Sequence, residues 1–316
     1  MSGLRRVGQL GLFLMISASS VSADVILVDR KLSCDVLVWS GGHFWRLTQG
    51  GLGSNELAFE RGFARVGVTG TVTSVVSLRV SCDVAGLAPQ DVYADMRLQN
   101  GFGLRIGQFQ LPLGADLMTD KGQTKLVNNS LLTAYDGPAG ALDMGLLGTY
   151  LSSRFQGALA VINGSGANTD DRNNRRDLCG RVAFRPWLGK SVEFAARGYI
   201  GWPDTTGIQW RTAAAEVSVR RGNVSLNAEF QNHSSADLQN NACYLQSGLD
   251  IGLFEPVLRF DLVLPSGKKA DVMGTAGFNL WPLGDNFKVL LDCSYRRNYQ
   301  DNWSVFGFLL RLQATI

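Results

Sequence analysis

The chain of 316 residues is poor in the residue types that build catalytic and metal sites. It has two histidines, His43 and His233, and no serine or cysteine forms a nucleophile motif with either of them. Its five cysteines lie far apart without a C-x-x-C pair, so their spacing does not match a zinc site. These absences argue against an enzyme. We therefore predict no catalytic residue, no metal ligand and no cofactor.

A long apolar run is also missing. No stretch of the chain approaches the roughly 18 apolar residues that a membrane-spanning helix needs. The start of the chain has Arg5 and Arg6, a short apolar core over Leu10 to Ile16, and small residues at Val21-Ser22-Ala23. This layout is typical of a cleaved secretory signal peptide, which we assign to residues 1–23. If the exported protein enters a membrane, it must do so as a β-barrel.

The composition favours one domain and excludes some partners. The net charge is only +3 and 18% of the residues are charged, which gives no case for nucleic-acid binding. The same strand-and-turn texture continues from Cys34 to Ile316 without a linker, so we predict a single domain over residues 24–316. Arginine outnumbers lysine, and its fixed fork of donors suits carboxylate and phosphate partners.

Apolar and polar residues alternate along most of the chain. In the last segment, Phe306, Phe308, Leu310 and Leu312 share one parity, and in most such segments the other parity carries the charges. A barrel that crosses lipid presents its apolar face outward and its polar face to a water-filled lumen. We therefore predict an all-β protein, a transmembrane antiparallel β-barrel of about 16 strands. The strands are expected near 34–47, 58–69, 71–84, 91–99, 101–111, 141–150, 154–163, 177–186, 190–201, 208–220, 223–232, 242–252, 255–264, 270–281, 286–297 and 303–316.

The longest break in this alternation runs from Pro112 to Gly140. Every second connection is tight, as at Gly70, Asn100-Gly101 and Arg221-Gly222, and the others are longer and polar, including Gly164 to Arg176 and His233 to Asn241. Bacterial barrels show this rhythm, with short periplasmic turns and longer outer loops. Residues 112–140 are then a long third outer loop, which we predict to fold into the pore as a constriction loop. It has one expected helical turn, over Leu131 to Tyr135, and two cations, Lys121 and Lys125.

Two interpretations of the inward charges stay open. A mildly cationic wall would ease the passage of anions. Alternatively, arginine and carboxylate side chains simply pair and hold the wall rigid. The residues that we expect to line the pore are Arg61, Arg65, Arg79, Asp95, Arg97, Arg105, Asp143, Arg181, Arg197, Arg259 and Arg296.

Several segments resemble the phosphate-selective porin O and P family. The family's marker, Gly-Gln-Phe-x-x-Pro at the end of a strand, is present as Gly107-Gln108-Phe109-Gln110-Leu111-Pro112. Matching segments occur in the family's order between Phe59 and Pro186, among them Phe59 to Val68, Asp91 to Asp95, Asp143-Met144-Gly145 and Asp177 to Val182. Two positions depart from the family pattern, since Gln110 stands where a lysine is common and Leu142 where an arginine often precedes the aspartate.

The resemblance implies a porin of sixteen strands in the bacterial outer membrane, in contact with lipid and assembled as a homotrimer. It would allow passive diffusion of small hydrophilic solutes with a preference for anions such as phosphate. A structural or adhesive barrel without a conducting pore is the main alternative, and a barrel enzyme is a weaker one.

Overall fold

The computed structural model of the protein describes residues 25–27, 30–135, 142–171, 173–187, 191–202, 207–236 and 238–315. The predicted signal peptide over residues 1–23 and the last part of the predicted constriction loop, residues 136–140, lie outside the described residues. No helix in the described ranges is both long and apolar enough to cross a membrane.

Sixteen strands form one closed antiparallel barrel. They are β2 (Arg30–Gln49), β3 (Leu52–Thr71), β4 (Val76–Asp83), β5 (Ala88–Arg97), β6 (Phe102–Gln110), β7 (Leu142–Leu151), β8 (Phe155–Ile162), β9 (Asp177–Phe184), β10 (Val192–Gly201), β11 (Trp210–Arg221), β12 (Val224–Ser235), β13 (Leu238–Leu249), β14 (Phe254–Pro265), β15 (Asp271–Leu280), β17 (Phe287–Asn298) and β18 (Trp303–Thr315). Two short strands accompany them, β1 (Val25–Leu27) beside the start of β2, and β16 (Pro282–Asp285) before β17. The sixteen predicted strands are confirmed.

The barrel closes where the last strand meets the first. β18 pairs with β2 in an antiparallel register from Trp303 opposite Gln49 to Thr315 opposite Leu37. Each other wall strand pairs with the next one along the chain. Closure of this kind satisfies the backbone groups that lipid cannot hydrogen-bond.

Burial alternates along the strands as the sequence predicts. On β18, Phe306 and Phe308 are more than 40% exposed, whereas Leu309 is 1% exposed and Arg311 is 8% exposed. Large apolar side chains on the outward parity are exposed on nearly every strand. An apolar surface of this extent matches a lipid-facing wall, and the charged parity faces the lumen.

Turn chemistry explains one of the tight connections. Asn100 and Gly101, between β5 and β6, both have positive φ values, 58° and 83°. Two-residue hairpin turns of the type that matches strand twist need this conformation, which favours Asn-Gly. A side chain at position 101 would also overlap the backbone oxygen of Leu151. The predicted turn at Asn100-Gly101 is therefore confirmed.

Two predicted connections were wrong. Residues His233 to Asn241 are not a long outer loop, because β12 continues to Ser235 and β13 begins at Leu238, with Ser235 opposite Leu238. Their polar side chains, which suggested a loop, include inward-facing members such as His233 and Asn240, which are 1% exposed. The turn expected at Gly70 lies further on, because β3 ends at Thr71 and β4 begins at Val76.

The segment after β6 has little regular structure. Between Gln110 and residue 135 it contains a single turn of α-helix, α1 (Ala115–Met118), and a short 3₁₀ helix over Leu131–Tyr135. The helical turn predicted over Leu131 to Tyr135 is thus confirmed. We call residues 111–135 the crossing segment, because their contacts reach both sides of the lumen.

Candidate functional site: the lumen of the barrel

The lumen-facing parity carries much of the buried charge of the protein. Twelve charged side chains on the wall are at most 8% exposed: Asp143, Asp177, Arg197, Glu216, Glu229, Glu255, Arg259, Asp261, Asp271, Lys288, Asp292 and Arg311. A buried charge is costly unless it is paired or hydrogen-bonded. The contacts of each group therefore decide which of them hold the wall together and which are left to meet a solute.

A chain of ion pairs runs across β9 to β12. Arg181 contacts Glu216 at 2.7 Å and Glu193 at 2.9 Å. Arg197 lies next in the same chain, 3.6 Å from Glu216 and in contact with Glu229. Because each arginine bridges two carboxylates, this part of the wall is a cross-linked network in which the charges compensate one another.

Other predicted lumen arginines are paired as well. Arg79 bridges Asp35 at 2.8 Å and Asp91 at 3.3 Å, and Arg105 lies 3.0 Å from Asp95. Ion pairs are formed by Arg65, Arg79, Arg105, Arg181, Arg197, Arg259 and Arg296. The interpretation of arginine–carboxylate pairs that hold the wall is therefore correct for these seven residues.

Arg259 on β14 binds the crossing segment. Its terminal nitrogens donate to the backbone oxygens of Asn128 at 3.0 Å and Asn129 at 2.8 Å, and its Nε donates to Asp261 at 2.9 Å. Asp261 in turn accepts the N–H of Leu131 at 3.0 Å. One buried ion pair therefore binds three backbone groups of residues 128–131 inside the barrel.

Further bonds attach the crossing segment to several strands of the wall. Lys125 contacts Glu255 on β14, and on the other side Arg65 on β3 lies 2.8 Å from Asp120. Additional bonds to β17 and β18 join Asp292 to the N–H of Val127, Lys288 to the oxygen of Thr124, and Gln313 to the oxygen of Gly122. These partners lie between β14 and β3, whereas Leu111 and Leu113 pack against β7 to β10 across the barrel, so residues 111–135 span the lumen.

An apolar cluster fills the lumen where the crossing segment leaves the wall. Phe109, Leu111 and Leu113 are at most 1% exposed. They pack with Leu147, Ala160, Ile162, Cys179 and Tyr199 on the inward face of β7 to β10. The lumen beside this cluster is therefore filled by side chains.

Several lumen cations have no carboxylate within ion-pair distance among the described residues, and they include Lys121, Lys288, Arg311 and Arg220. Lys121 Nζ lies 4.1 Å from the centroid of the Phe63 ring, and Arg311 Cζ lies 4.0 Å from that of Trp39. The rings of Trp39 and Phe63 are stacked with centroids 5.9 Å apart. Such rings attract a cation without neutralising it, so its charge is still felt by a passing anion.

Neighbouring residues of the crossing segment have shifted pKa values. Burial lowers the pKa of Lys121, which Asp83 raises in part. Burial would raise the pKa of Asp120, but hydrogen bonds from Arg65 and from the N–H of Gly122 bring it below the ordinary value. Asp120 is therefore a firmly ionised anchor, while Lys121 holds its proton less tightly than an exposed lysine.

The crossing segment divides the open space. A cavity of about 700 Å³ lies on the side of the short turns, lined by Lys125, Arg220, Trp281 and Lys288 among others. A cavity of about 460 Å³ lies on the opposite side, lined by Trp45, Trp303 and neighbouring residues. A third, of about 140 Å³, lies between the crossing segment and β3 to β6, and Arg65 and Lys121 line it.

The Gly107-Gln108-Phe109 element has three separate structural roles. Gly107 has a φ of 127°, and a side chain there would overlap the backbone oxygen of Val92. Gln108 is 5% exposed and binds the backbone oxygen of Gln90 at 2.7 Å and the N–H of Asn168 at 2.7 Å. Phe109 lies in the apolar cluster of the lumen. This element therefore ties the start of the crossing segment to the wall and to the loop that contains Asn168.

The other predicted site residues lie apart from the crossing segment. Arg97 is opposite Gly103 at the turn end of its hairpin, seven residues along β6 from Gln110, roughly 23 Å at the rise of a strand. Asp143 is fully buried and accepts the N–H of Gly164 at 2.9 Å, so it anchors a loop. The side chain of Arg61 lies outside the described part of the structure.

Sequence reasoning missed the aromatic part of the lumen. Trp39, Trp45 and Trp303 lie on the inward parity but were not predicted as pore residues. A signal was present, since Trp39 and Trp45 stand on the first strand among residues that alternate. The neighbouring strand hides the pattern, because an irregularity in the pairing opposite Trp39 and Gly41 changes the parity of β3 between Phe63 and Glu60.

The model of the family described as phosphate-selective porin O and P matches residues 51–236. The chain belongs to this porin family. The match covers more than half of the chain, including the Gly-Gln-Phe element and the crossing segment. Membership in a family of porins indicates a channel protein of the bacterial outer membrane rather than an enzyme. No curated sequence matches the chain significantly.

Solved porin structures share the fold. The anion-selective porin from Comamonas acidovorans aligns with a TM-score of 0.72 at 12% identity, covering 91% of this chain and 100% of that one. The outer membrane channel DcaP of Acinetobacter baumannii aligns with a TM-score of 0.65 at 10% identity, over 90% and 97% of the two chains. A trimer form of OmpT of Vibrio cholerae aligns with a TM-score of 0.60 at 10% identity, over 90% and 99%.

Proposed function

We propose that this porin allows passive diffusion of small hydrophilic solutes across the outer membrane with a preference for anions, phosphate among them. The observation that carries the preference is the set of cations without carboxylate partners beside the crossing segment. Lys121 and Arg311 lie against aromatic rings, and Lys288 contacts only a backbone oxygen, that of Thr124, among the hydrogen bonds of the described residues. Charges at a narrowing dominate selectivity, because salt screens charges further away over about 8 Å.

Two features support this assignment. Most other lumen charges compensate one another in ion pairs, so the unpaired cations set the sign of the field near the narrowing. The porin of Comamonas acidovorans, which shares the fold, is described as anion-selective. The predicted pore-lining residues with ion pairs then shape the wall, and Lys121, Lys288 and Arg311 provide the anion contacts.

The test is the reversal potential of single channels in a planar bilayer under a potassium chloride gradient. We expect the potential to favour chloride, and phosphate added to one side to reduce the chloride current. A preference for potassium in the unmodified protein would contradict the proposal. Absence of any conductance from correctly folded protein would favour the structural or adhesive barrel instead.

We propose that the crossing segment is the constriction of this pore. It spans the lumen and is bonded to both sides of it, as described above. Deletion of residues 120–130 is expected to raise single-channel conductance, because the segment occupies the centre of the lumen. Heat-modifiable migration on a gel serves as the control for folding. Unchanged conductance in a folded variant would mean that the segment does not limit flow.

We also propose that a signal peptide over residues 1–23 directs export and is cleaved.

We further propose that the barrel assembles as a homotrimer. An open strand edge supports the trimer. β3 pairs with β2 up to Leu52, but its pairing with β4 stops at Arg65 opposite Asp83. Residues 52–63 of β3 therefore have a strand partner on only one side among the described residues.

This open edge lies at the depth of lipid. Leu57 and Phe59 are 83% and 96% exposed and stand opposite Phe44 and Gly42 of β2. Those two residues stand in turn opposite Phe308 and Leu310 in the outward apolar band of β18. Lipid cannot satisfy unpaired backbone groups, so another polypeptide must cover the edge. We infer that a second copy of this chain does so, since one of the proteins that share the fold is described in a trimer form.

The trimer is tested by Leu57→Ala with Phe59→Ala, and the matched control is Leu258→Ala with Phe260→Ala on the outward face of β14. Both pairs are more than half exposed in one copy. We expect the first variant to weaken the oligomer about tenfold or more, as apolar interface anchors do, and the control to leave it unchanged. The measurement is native mass spectrometry in detergent. Equal effects of the two variants would contradict this interface.

A further inference from the structure

The cavity of about 460 Å³ is built differently from the rest of the lumen. It lies on the loop side of the crossing segment, so a solute from outside reaches it before the narrowing. Its lining is mainly apolar and aromatic, and its volume is within the range of small-molecule sites. The residues that line it include Trp45, Leu47, Leu131, Met273, Trp303 and Val305, with Glu56, Asn128, Asn129, Ser294 and Arg296.

Trp45 lies flat against the wall. A side chain at position 307 would overlap the six-membered ring of Trp45, so Gly307 on β18 gives the space that the indole occupies. Trp45 also packs against Val127 of the crossing segment, together with Leu290 and Leu309. Trp45 is half-buried and lines the cavity, so part of its side chain is open to a ligand.

Arg296 supplies a charged hydrogen-bond donor at the same cavity, although Asp271 compensates its net charge. Its Nε and Nη2 donate to Asp271, at 3.1 Å and 2.6 Å, while its Nη1 has no hydrogen-bond partner among the described residues. The side chain is 39% exposed and its Cζ lies 5.1 Å from the centroid of the Trp303 ring. One donor of a guanidinium that is already fixed in place is therefore free to bind a ligand.

Two carboxamides complete the polar side of the cavity. Asn128 and Asn129 are exposed, and their backbone oxygens are fixed by Arg259. The only carboxylate among the lining residues is Glu56, which stands opposite Trp45 on β3 and lies 3.5 Å from His43. A negative ligand group is therefore favoured at Arg296 and disfavoured at β3.

We propose that this cavity is a binding site for organic carboxylates that carry an aromatic ring. The ring of the solute stacks on Trp45 and Trp303, and its carboxylate accepts a hydrogen bond from Arg296 Nη1, assisted by the amides of Asn128 and Asn129. Offset stacking and a charge-assisted hydrogen bond reinforce each other at such a site. The site raises the local concentration of these solutes ahead of the narrowing. This inference rests on the proposed porin function and names a solute class for it.

The probe is benzoate, compared with acetate and with uncharged benzyl alcohol. In single-channel recordings in potassium chloride, we expect benzoate to reduce the current at a concentration about tenfold below that needed for acetate. Benzyl alcohol should also be weaker than benzoate, because it lacks the carboxylate. A titration of tryptophan fluorescence with benzoate in detergent measures binding without any need for conductance.

Variants separate the parts of the site. Trp45→Ala and Trp303→Ala should each weaken benzoate binding about fivefold to tenfold. Gly307→Ala, which retains the indole but displaces it, should weaken binding as well. Arg296→Gln should remove the difference between benzoate and benzyl alcohol. The matched control is Trp281→Ala, a tryptophan that lines the cavity on the other side of the crossing segment.

The outcomes distinguish this inference from the porin function. If the channel conducts but benzoate acts no better than acetate, the site is wrong and the porin function stands. If Trp281→Ala weakens binding as much as Trp45→Ala, the cavity is wrongly located. If the protein does not conduct yet binds benzoate with the expected dependence on Trp45 and Trp303, the site stands and the porin function fails.

Discussion

Two parts of the lumen wall differ in the groups that contact their inward cations. On β9 to β14, inward arginines such as Arg181, Arg197 and Arg259 contact carboxylates or backbone oxygens at nearly every donor. On β18, β2 and β3, Arg311 and the adjacent Lys121 lie against Trp39 and Phe63 instead. A carboxylate cancels the field of a cation, whereas a ring supports it sterically and leaves its charge in place. The first wall is therefore built for rigidity and the second for contact with anions.

The largest effect should come from breaking the rigid wall. Arg259→Ala leaves Asp261 buried without its partner and frees the backbone of Asn128 and Asn129, and loss of one member of a buried pair costs about 3–5 kcal/mol. We expect lower resistance to thermal unfolding and a noisier, larger conductance. Arg259→Leu with Asp261→Leu is the control, since it removes both charges and should unfold at a temperature closer to that of the unmodified protein. Equal losses in the two variants would show that the pair itself does not fix the segment.

A second prediction sharpens the comparison on the aromatic side. Lys121→Gln with Arg311→Gln should lower the ratio of chloride to potassium permeability by about fivefold for each charge, as expected for about 1 kcal/mol at contact distance in water. Arg97→Gln with Arg105→Gln removes two charges as well, but Arg105 is paired and Arg97 is remote, so the ratio should change less than about twofold. The measurement is the reversal potential. Similar shifts in both variants would mean that the whole wall determines selectivity.

The smallest effect concerns pH. Because burial lowers the pKa of Lys121 from its ordinary value of 10.5, its charge is lost at a lower pH than that of an exposed lysine. Anion preference should therefore decline as the pH rises. The decline should occur at a lower pH than the titration of an ordinary lysine would give. Lys121→Arg should abolish this decline. A decline that persists in Lys121→Arg would assign it to another group.

The sequence allowed the wall of the barrel to be predicted because its information is local. Alternation such as Phe306, Phe308 and Leu310 needs only neighbouring residues to be recognised, and one side of each strand must face lipid. Turns such as Asn100-Gly101 are equally local. The error at His233 to Asn241 has the same origin, because a polar lumen accepts the residue types that also form loops, and composition alone does not separate the two.

Local sequence patterns could not predict the contacts of the crossing segment. Arg259 and Asn129 are 130 residues apart in sequence, and nothing near either residue indicates the other. A β-bulge also hides a pattern from sequence reasoning. The irregularity opposite Trp39 and Gly41 places both Glu60 and Phe63 on the inward side of β3, although strict alternation would put them on opposite sides. The long break in the strand alternation predicted that a loop enters the pore, but the aromatic support of Lys121 and Arg311 required coordinates.

The seam between β18 and β2 also constrains how the barrel forms. Its partners, such as Thr315 and Leu37, are near opposite ends of the described chain, so the barrel closes between strands that are far apart in sequence. Until the seam closes, both β2 and β18 present open edges that can pair with other chains. Contacts between such distant residues form slowly, because the loop that they close is long. Deletion of β18 would therefore affect assembly before it affected permeation. Pairing of this thirteen-residue strand converts an open sheet that can aggregate into a closed barrel that can insert.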